Sequence, residues 1–270
     1  MSEAQHLRVA TGDDGVCRIT LDRPDAKHAL TVAMRDGIVD AIRAARTDPT
    51  IRAVLLRATG DAFCAGMDLT ASTVAQAGKP GFDPRTTAEA LRVGVQTFIR
   101  ELWELDKPTV AAVHGVAVGP GAHLALACDF VLVAPETKFI WSFHKWGLVV
   151  DAGGAYLLPR LVGLARAKAM VMLGESCSGA DAVSLGLAYR CLAERATLAD
   201  EADALAVRLA AGPTRALGLS KRLLNTSFET DLPASLEREG AYQSLATASA
   251  DLVEGMDAFR EKRDAKFEGR

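Results

Sequence analysis

At 270 residues with 49% hydrophobic content, the chain has enough apolar material for one large globular core or a core with a smaller appendage. A formal charge of −3 argues against the broad basic footprint of a nucleic-acid binder, leaving room only for local cationic clusters. Five cysteines, Cys17, Cys64, Cys128, Cys177 and Cys191, are odd in number and form no C-x-x-C pair, so neither a disulfide framework nor a zinc site is indicated and a reducing cytoplasm fits.

Glu3, Arg8, Asp13 and Asp14 precede any apolar block, so no secretory leader is expected. Cys17, Ile19 and Leu21 share a face at period two and read as a strand. A helix is expected from Thr31, with Met34, Ile38, Ile42 and Ala45 on one stripe. Residues 53–56, 109–113 and 130–133 read as buried strands. Between them, residues 70–87 contain Gly78-Lys79-Pro80-Gly81-Phe82-Asp83-Pro84, a breaker-rich stretch expected to form a mobile loop. Thr86 and Glu89 form a capping-box pattern, opening a helix that carries Leu91, Val95, Phe98, Leu102 and Leu105 as far as Asp106-Lys107-Pro108. Beyond residue 196 the pattern becomes helical: 198–211, a stop at Gly212-Pro213, then 214–227, 233–250 and 251–267. A β/α core over 1–196 and a helical subdomain over 197–270 follow as the expected organisation. Residues 115–128, the least charged stretch, are too short and too broken by Gly119-Pro120-Gly121 to span a membrane.

Two glycine-punctuated turns carry the chemical signal, Phe63-Cys64-Ala65-Gly66-Met67-Asp68-Leu69 and Gly115-Val116-Ala117-Val118-Gly119-Pro120-Gly121. Each follows a β-branched run and leads towards a helix, a geometry that aims backbone N–H groups at a negatively charged oxygen. Further blocks occur in order: Leu21-Asp22-Arg23-Pro24 with Ala29-Leu30, Lys107-Pro108-Thr109-Val110 running to Cys128-Asp129, Asp151-Ala152-Gly153-Gly154 with Leu158-Pro159-Arg160-Leu161, and Glu254-Gly255-Met256 with Phe259. Together they resemble the enoyl-CoA hydratase/isomerase (crotonase) superfamily from about residue 16 to 267. The stretch from Phe139 to Asp151 resembles its isomerase branch, which includes 1,2-epoxyphenylacetyl-CoA isomerase-like members.

The resemblance implies an α/β spiral of ββα units in two sheets with a helical C-terminal subdomain used for trimer formation, giving a homotrimer or homohexamer. It implies an acyl-CoA thioester as substrate, coenzyme A entering as part of it, with no metal and no other cofactor. The oxyanion hole would use the N–H of Met67 and that of residue 120. Residue 120 is proline, which has no N–H, so Gly121, a water or a side chain must substitute, or the hole has one donor. Pro120 also suits the first position of a helix capped by Gly119.

Hydratases of the family carry two glutamates at positions that here are His123 and Phe143, so ordinary hydration is poorly supported. Asp151 stands where isomerase members place their acid. By itself, its spacing reads first as a loop Asp making a turn or cap before Gly153-Gly154, and it is the family block that reverses this. His123 is open to two readings, a satisfied core histidine or a second acid. Alternation sends Trp141 and Phe143 to one side, where they could line the acyl pocket or simply pack in the core, and His144 and Trp146 to the other. The resemblance places CoA against Ala26, Lys27, Ala29, Ala65, Asp68 and Leu69, with Phe259 and Lys262 from the same or a neighbouring subunit. The Lys262, Arg263 and Lys266 cluster reads alternatively as a solvated helix face.

The function this implies is a double-bond shift through a thioester enolate, with a non-standard hydratase and a non-catalytic acyl-CoA-binding protein as alternatives. Dinucleotide binding is excluded because Gly119-Pro120-Gly121-Ala122-His123-Leu124 lacks a third glycine. A serine hydrolase is excluded because Gly174-Glu175-Ser176-Cys177-Ser178 lacks the closing glycine of the nucleophile turn.

Overall fold

The computed structural model describes residues 6–70, 73–76 and 79–270. It opens on an antiparallel pair, β1 (Leu7–Thr11) and β2 (Val16–Leu21), followed by α1 (Val32–Thr47). Thr31 Oγ1 caps α1 by accepting the Met34 N–H at 3.1 Å, and Met34, Ile38, Ile42 and Ala45 are buried, as their spacing requires. β3 (Ala53–Ala58), α2 (Arg85–Val93), α3 (Val95–Trp103), β4 (Thr109–Val113), β5 (Val116–Val118) and α4 (Pro120–Leu126) come next. Then follow β6 (Phe130–Val133), β7 (Lys138–Ile140), α5 (Gly154–Val162), α6 (Leu164–Lys168), β8 (Cys177–Ser178), α7 (Gly179–Ser184) and β9 (Arg190–Cys191). The last helices are α8 (Leu198–Ala210), α9 (Thr214–Asn225), α10 (Leu232–Thr247) and α11 (Ala250–Glu261).

Six strands form one sheet in the order β1-β2-β3-β4-β6-β9, parallel from β2 onward, and β5-β7-β8 form a second. Isolated parallel bridges, Leu30 to Met67 and Cys64 to Ala117, stand in relation to β2 and β3 as β5 does to β4. Successive parallel strands are thus each followed by a short extended segment and then a helix, the repeating unit of a spiral.

Both faces of the large sheet are covered, which is why its strands read as continuous apolar runs. Val54, Leu56, Ala111, Val113, Val131 and Val133 face a core shared with α1 and α3. Ala53, Leu55, Val110, Ala112, Leu132 and Ala134 face Leu198, Ala202, Leu205, Ala206 and Ala210 of α8. The packing of the sheet therefore runs through residue 196 into the first C-terminal helix. Farther along, Lys221 of α9 is buried, and its ammonium donates to Leu102 O at 3.0 Å, Lys107 O at 3.4 Å and Asp129 Oδ2 at 2.9 Å.

Several local expectations need correction. The single helix expected from Thr86 to Leu105 is two, because Gly94, at φ −103° and ψ −114°, breaks the ladder between α2 and α3. No capping box forms there: Thr86 Oγ1 donates to Asp83 O, and the Asp83 carboxylate accepts the Arg85 N–H. Residues 143–146 form a 3-10 turn, not an extended strand, so period-two alternation does not govern the aromatic side chains there. The last helix ends at Glu261, where Lys262 turns left-handed (φ 55°) and the tail folds back. Arg263 pairs with Glu254 and Glu261, so one of the three cations of the expected cluster is engaged within the fold. Of the 70–87 segment, residues 71–72 and 77–78 lie outside the described residues; the remainder includes a 3-10 turn at Thr73–Gln76. Among the described residues, no helix is long and apolar enough to cross a membrane.

Candidate active site

The two glycine turns meet side by side. Cys64 N–H donates to Val116 O at 3.0 Å, and Val118 N–H donates back to Cys64 O at 2.9 Å. Gly66 (φ 93°) passes so close to the second turn that a Cβ there would stand 3.0 Å from Val118 O, which explains the need for glycine. The bridge between Leu30 and Met67 uses the Gly66 carbonyl and the Asp68 N–H, at 2.7 and 3.0 Å. The Met67 N–H between them stays outside the ladder.

In the second turn, Gly119 (φ 48°) donates its N–H to Ile140 O at 2.9 Å, and Pro120 starts α4 as its first residue. Both line a cavity of about 440 Å³ together with Ala65, Gly66 and Met67. Gly121 lies beneath this wall, where a Cβ would stand 2.6 Å from Cys64 Sγ, and it is not among the lining residues. The position that the resemblance gives to the second donor is therefore occupied by a residue that cannot donate.

Asp151 is the one carboxylate lining the cavity among the described residues. It precedes α5, where Ala152 (φ 45°) and Gly153 (φ 76°) both adopt left-handed backbone, and its own carbonyl accepts the Gly154 N–H at 2.8 Å. This turn buries Oδ1 with no hydrogen-bond partner. Desolvation consequently raises the carboxyl pKa to about 6, against a smaller lowering by its own backbone. Spacing alone allowed a cap; α5 has no side-chain cap, and Asp151 lines the cavity, as do Phe143, Leu148 and Val149.

His123 is fully buried on α4 and does not line the cavity. Trp141 Nε1 donates to its Nε2 at 3.0 Å, and its ring stacks on Phe143 with centroids 6.0 Å apart. Desolvation drives its pKa down to about 3, so at neutral pH it is an uncharged acceptor beneath the floor of the site. That placement does not suit a second acid. Trp141 is likewise buried away from the cavity, whereas Phe143 lines it, its ring lying over Gly119.

At the expected CoA turn, Ala65 N–H donates to Lys27 O at 2.9 Å and joins the 26–29 segment to the first glycine turn. Lys27 (φ 48°) and His28 (φ 54°) are both left-handed, and buried His28 contacts Thr59 Oγ1 at 3.3 Å. Ala26 and Ala29 share a backbone bond of 3.0 Å. Asp68 is committed locally: it accepts from Thr70 and pairs with Arg23 at 2.8 Å, interactions that hold its pKa below the usual carboxylate range. Leu69 lines the cavity. Phe259 (85% exposed) and Lys262 lie on α11 and its end, outside the lining of this cavity.

Sequence reasoning missed several lining residues: Val32 and Arg35 of α1, Thr87, Ala90 and Leu91 of α2, Val95 of α3, and the exposed rim Trp146, Leu148 and Val149. Thr87, Ala90 and Leu91 recur at helical spacing, a signal that α2 has a cavity-facing stripe. Among the described residues no group of three or more His, Cys, Asp or Glu is arranged to hold a metal.

The family model described as enoyl-CoA hydratase/isomerase matches residues 11–270. The chain is 39% identical over 262 residues to the 1,2-epoxyphenylacetyl-CoA isomerase of Escherichia coli K12, covering 96% of this chain and 97% of that one. It is 36% identical to a probable enoyl-CoA hydratase of Rhodobacter capsulatus, covering 95% and 96% of the two chains. A solved structure from Streptomyces coelicolor A3(2), provisionally described as an enoyl-CoA hydratase, superposes with a TM-score of 0.92 at 36% identity, covering 100% and 96%. From the ordered motifs, the paired glycine turns and these likenesses, the chain belongs to the enoyl-CoA hydratase/isomerase family and has its crotonase fold.

Proposed function

We propose that the protein shifts a double bond in an acyl-CoA thioester by moving one proton through a thioester enolate, with Asp151 as the base. The carrying observation is the Asp151 carboxylate, the one carboxylate lining the cavity among the described residues, desolvated towards a pKa of about 6. Its ionised form takes a proton from a carbon adjacent to the conjugated system, and the C–H electron pair moves into the enolate. The resulting carboxylic acid returns the proton at the other carbon, so charge and atoms balance. Two-carboxylate activation of water has no counterpart, since His123 is buried and Phe143 is apolar.

The thioester oxygen is assigned to the Met67 N–H, a preorganised donor of the kind that contributes about 3–4 kcal/mol to an oxyanion transition state. With Pro120 opposite, the hole relies on one backbone donor. CoA is assigned to the turn at Ala26, Lys27 and Ala29 with Ala65 and Leu69, Asp68 bracing that turn through Arg23, and with Phe259 and Lys262 reaching a site in a homotrimer or homohexamer. The reaction as written uses no metal or redox cofactor, and a cytoplasmic setting suits it.

The test is incubation in D₂O with 2-enoyl-, 3-enoyl- and aryl-acetyl-CoA thioesters, followed by mass spectrometry and NMR. Deuterium uptake with a displaced double bond is the expected result. Uptake with added water would restore the hydratase reading, and no exchange with a bound thioester would leave a non-catalytic binder. The pH dependence is a second expected outcome. Because the base acts when ionised, kcat/KM rises with pH, bends near pH 6 and levels above it. A profile flat through that region would exclude Asp151 as the titrating base.

A further inference from the structure

Among the described residues the cavity carries one cation besides its one carboxylate, and that cation has no part in the proton transfer. Arg35 lines the wall formed by α1, and its side chain is only 13% exposed. Nε and Nη2 hold Asp36 Oδ1 at 2.8 and 2.7 Å, while Nη1 reaches the break between α2 and α3, where a Cβ on Gly94 would stand 2.7 Å from it. The Asp36 side chain is 53% exposed, so water screens the anion far more than the guanidinium it holds. Among the described residues Nη1 makes no hydrogen bond, so the donor edge of the guanidinium that carries Nη1 stays open.

Arg35 and Asp151 occupy different stations along α3. Arg35 abuts Gly94, at its start, whereas the Asp151 turn abuts Ile99 through Gly153. From Val95, next to Gly94, to Ile99 the helix rises about 6 Å, which sets the two stations one turn apart. No cation contributes to the ionisation of Asp151, consistent with that separation. Val95, next to Gly94, and Leu91 of α2 add apolar surface to the same cavity.

Resting on the reading of this cavity as the acyl site, we infer that Arg35 is a specificity-determining residue that selects acyl groups ending in a carboxylate. The thioester end meets Met67 and Asp151, the methylene chain crosses the apolar surface of the cavity, and the distal carboxylate takes the open guanidinium edge. A methyl-terminated chain would leave that edge desolvated and unpaired.

Binding tests this independently of turnover. Saturated ω-carboxyacyl-CoA thioesters from glutaryl to suberyl, and methyl-terminated chains of equal length, are titrated calorimetrically into the full-length protein. The expected result is tighter binding of an intermediate-length carboxylated chain by about tenfold or more. Arg35→Met abolishes that preference, Arg35→Lys keeps part of it, and Asp36→Asn, which removes the competing anion, increases it. Equal affinity for the two series, or a preference that survives Arg35→Met, would overturn the inference. A carboxylate preference without deuterium exchange would retire the isomerase reading while leaving this one standing; failure of both series to bind would retire both.

Discussion

Replacing Asp151 by Asn removes α-proton exchange, with a loss of at least a hundredfold and up to about ten-thousandfold, while acyl-CoA affinity stays close to that of the parent. The shape is conserved and the amide cannot act as a base, so kcat falls and KM does not follow. A second consequence separates this from a structural lesion. The folded carboxyl titrates near 6 against 3.8 for the free group, so as pH rises from about 4 to 6 the unfolded chain loses its proton first. Stability contributed by this group falls across that window and stays low above it. Asparagine has no charge to desolvate, so the variant melts higher than the parent above pH 6, and the gap closes towards pH 4. A variant that loses both exchange and stability at high pH would mean that Asp151 supports the turn and not the chemistry.

Lys221→Met has the largest expected effect on folding. The Lys221 side chain is 7% exposed, and its ammonium ties α9 to the Leu102 and Lys107 carbonyls and to Asp129, whose carboxylate also accepts the Thr109 N–H and hydroxyl. Gly218, one turn earlier, lets the helix backbone lie directly on Asp106. Removing the buried partner leaves Asp129, which reaches water and keeps its two Thr109 donors, and strips the Leu102 and Lys107 carbonyls of theirs, a loss of about 1–3 kcal/mol. Urea denaturation of the single variant, of Asp129→Asn and of the double variant measures it. The double variant is expected to be less destabilised than the sum of the singles. Strict additivity would show that the pair is not coupled.

The parts of the fold legible in the sequence are those whose burial leaves a pattern. β4 and β6 are covered on both faces and appear as unbroken apolar runs, and α1 shows a single buried stripe. β5, β7, β8 and β9 have two or three residues each, too few for any period to register. The break at Gly94 is hidden because Leu91, Val95, Phe98 and Leu102 keep helical spacing across it. At the site, Asp151 is legible from its block, and the proline at position 120 announces its own missing donor. Arg35 is not, because an arginine beside a buried stripe reads as solvated surface until α2 closes over it. His123 illustrates the opposite failure. Its position in the second turn suggests chemistry, yet the Trp141 hydrogen bond beneath the floor makes it a support for the aromatic packing.

The position of Cys64 gives the molecule an internal clock. Its sulfur donates to His28 O at 3.2 Å and lies under Gly121, sealed between the two turns, with desolvation pushing its pKa up to about 12. A thiol this deep and this protonated reacts with an alkylating reagent only when the turns part, so its labelling rate counts those openings one by one. Cys191, partly exposed, is modified first and serves as the reference for reagent activity. Saturating acyl-CoA, by clasping the same turns, should slow the Cys64 rate and leave the Cys191 rate unchanged.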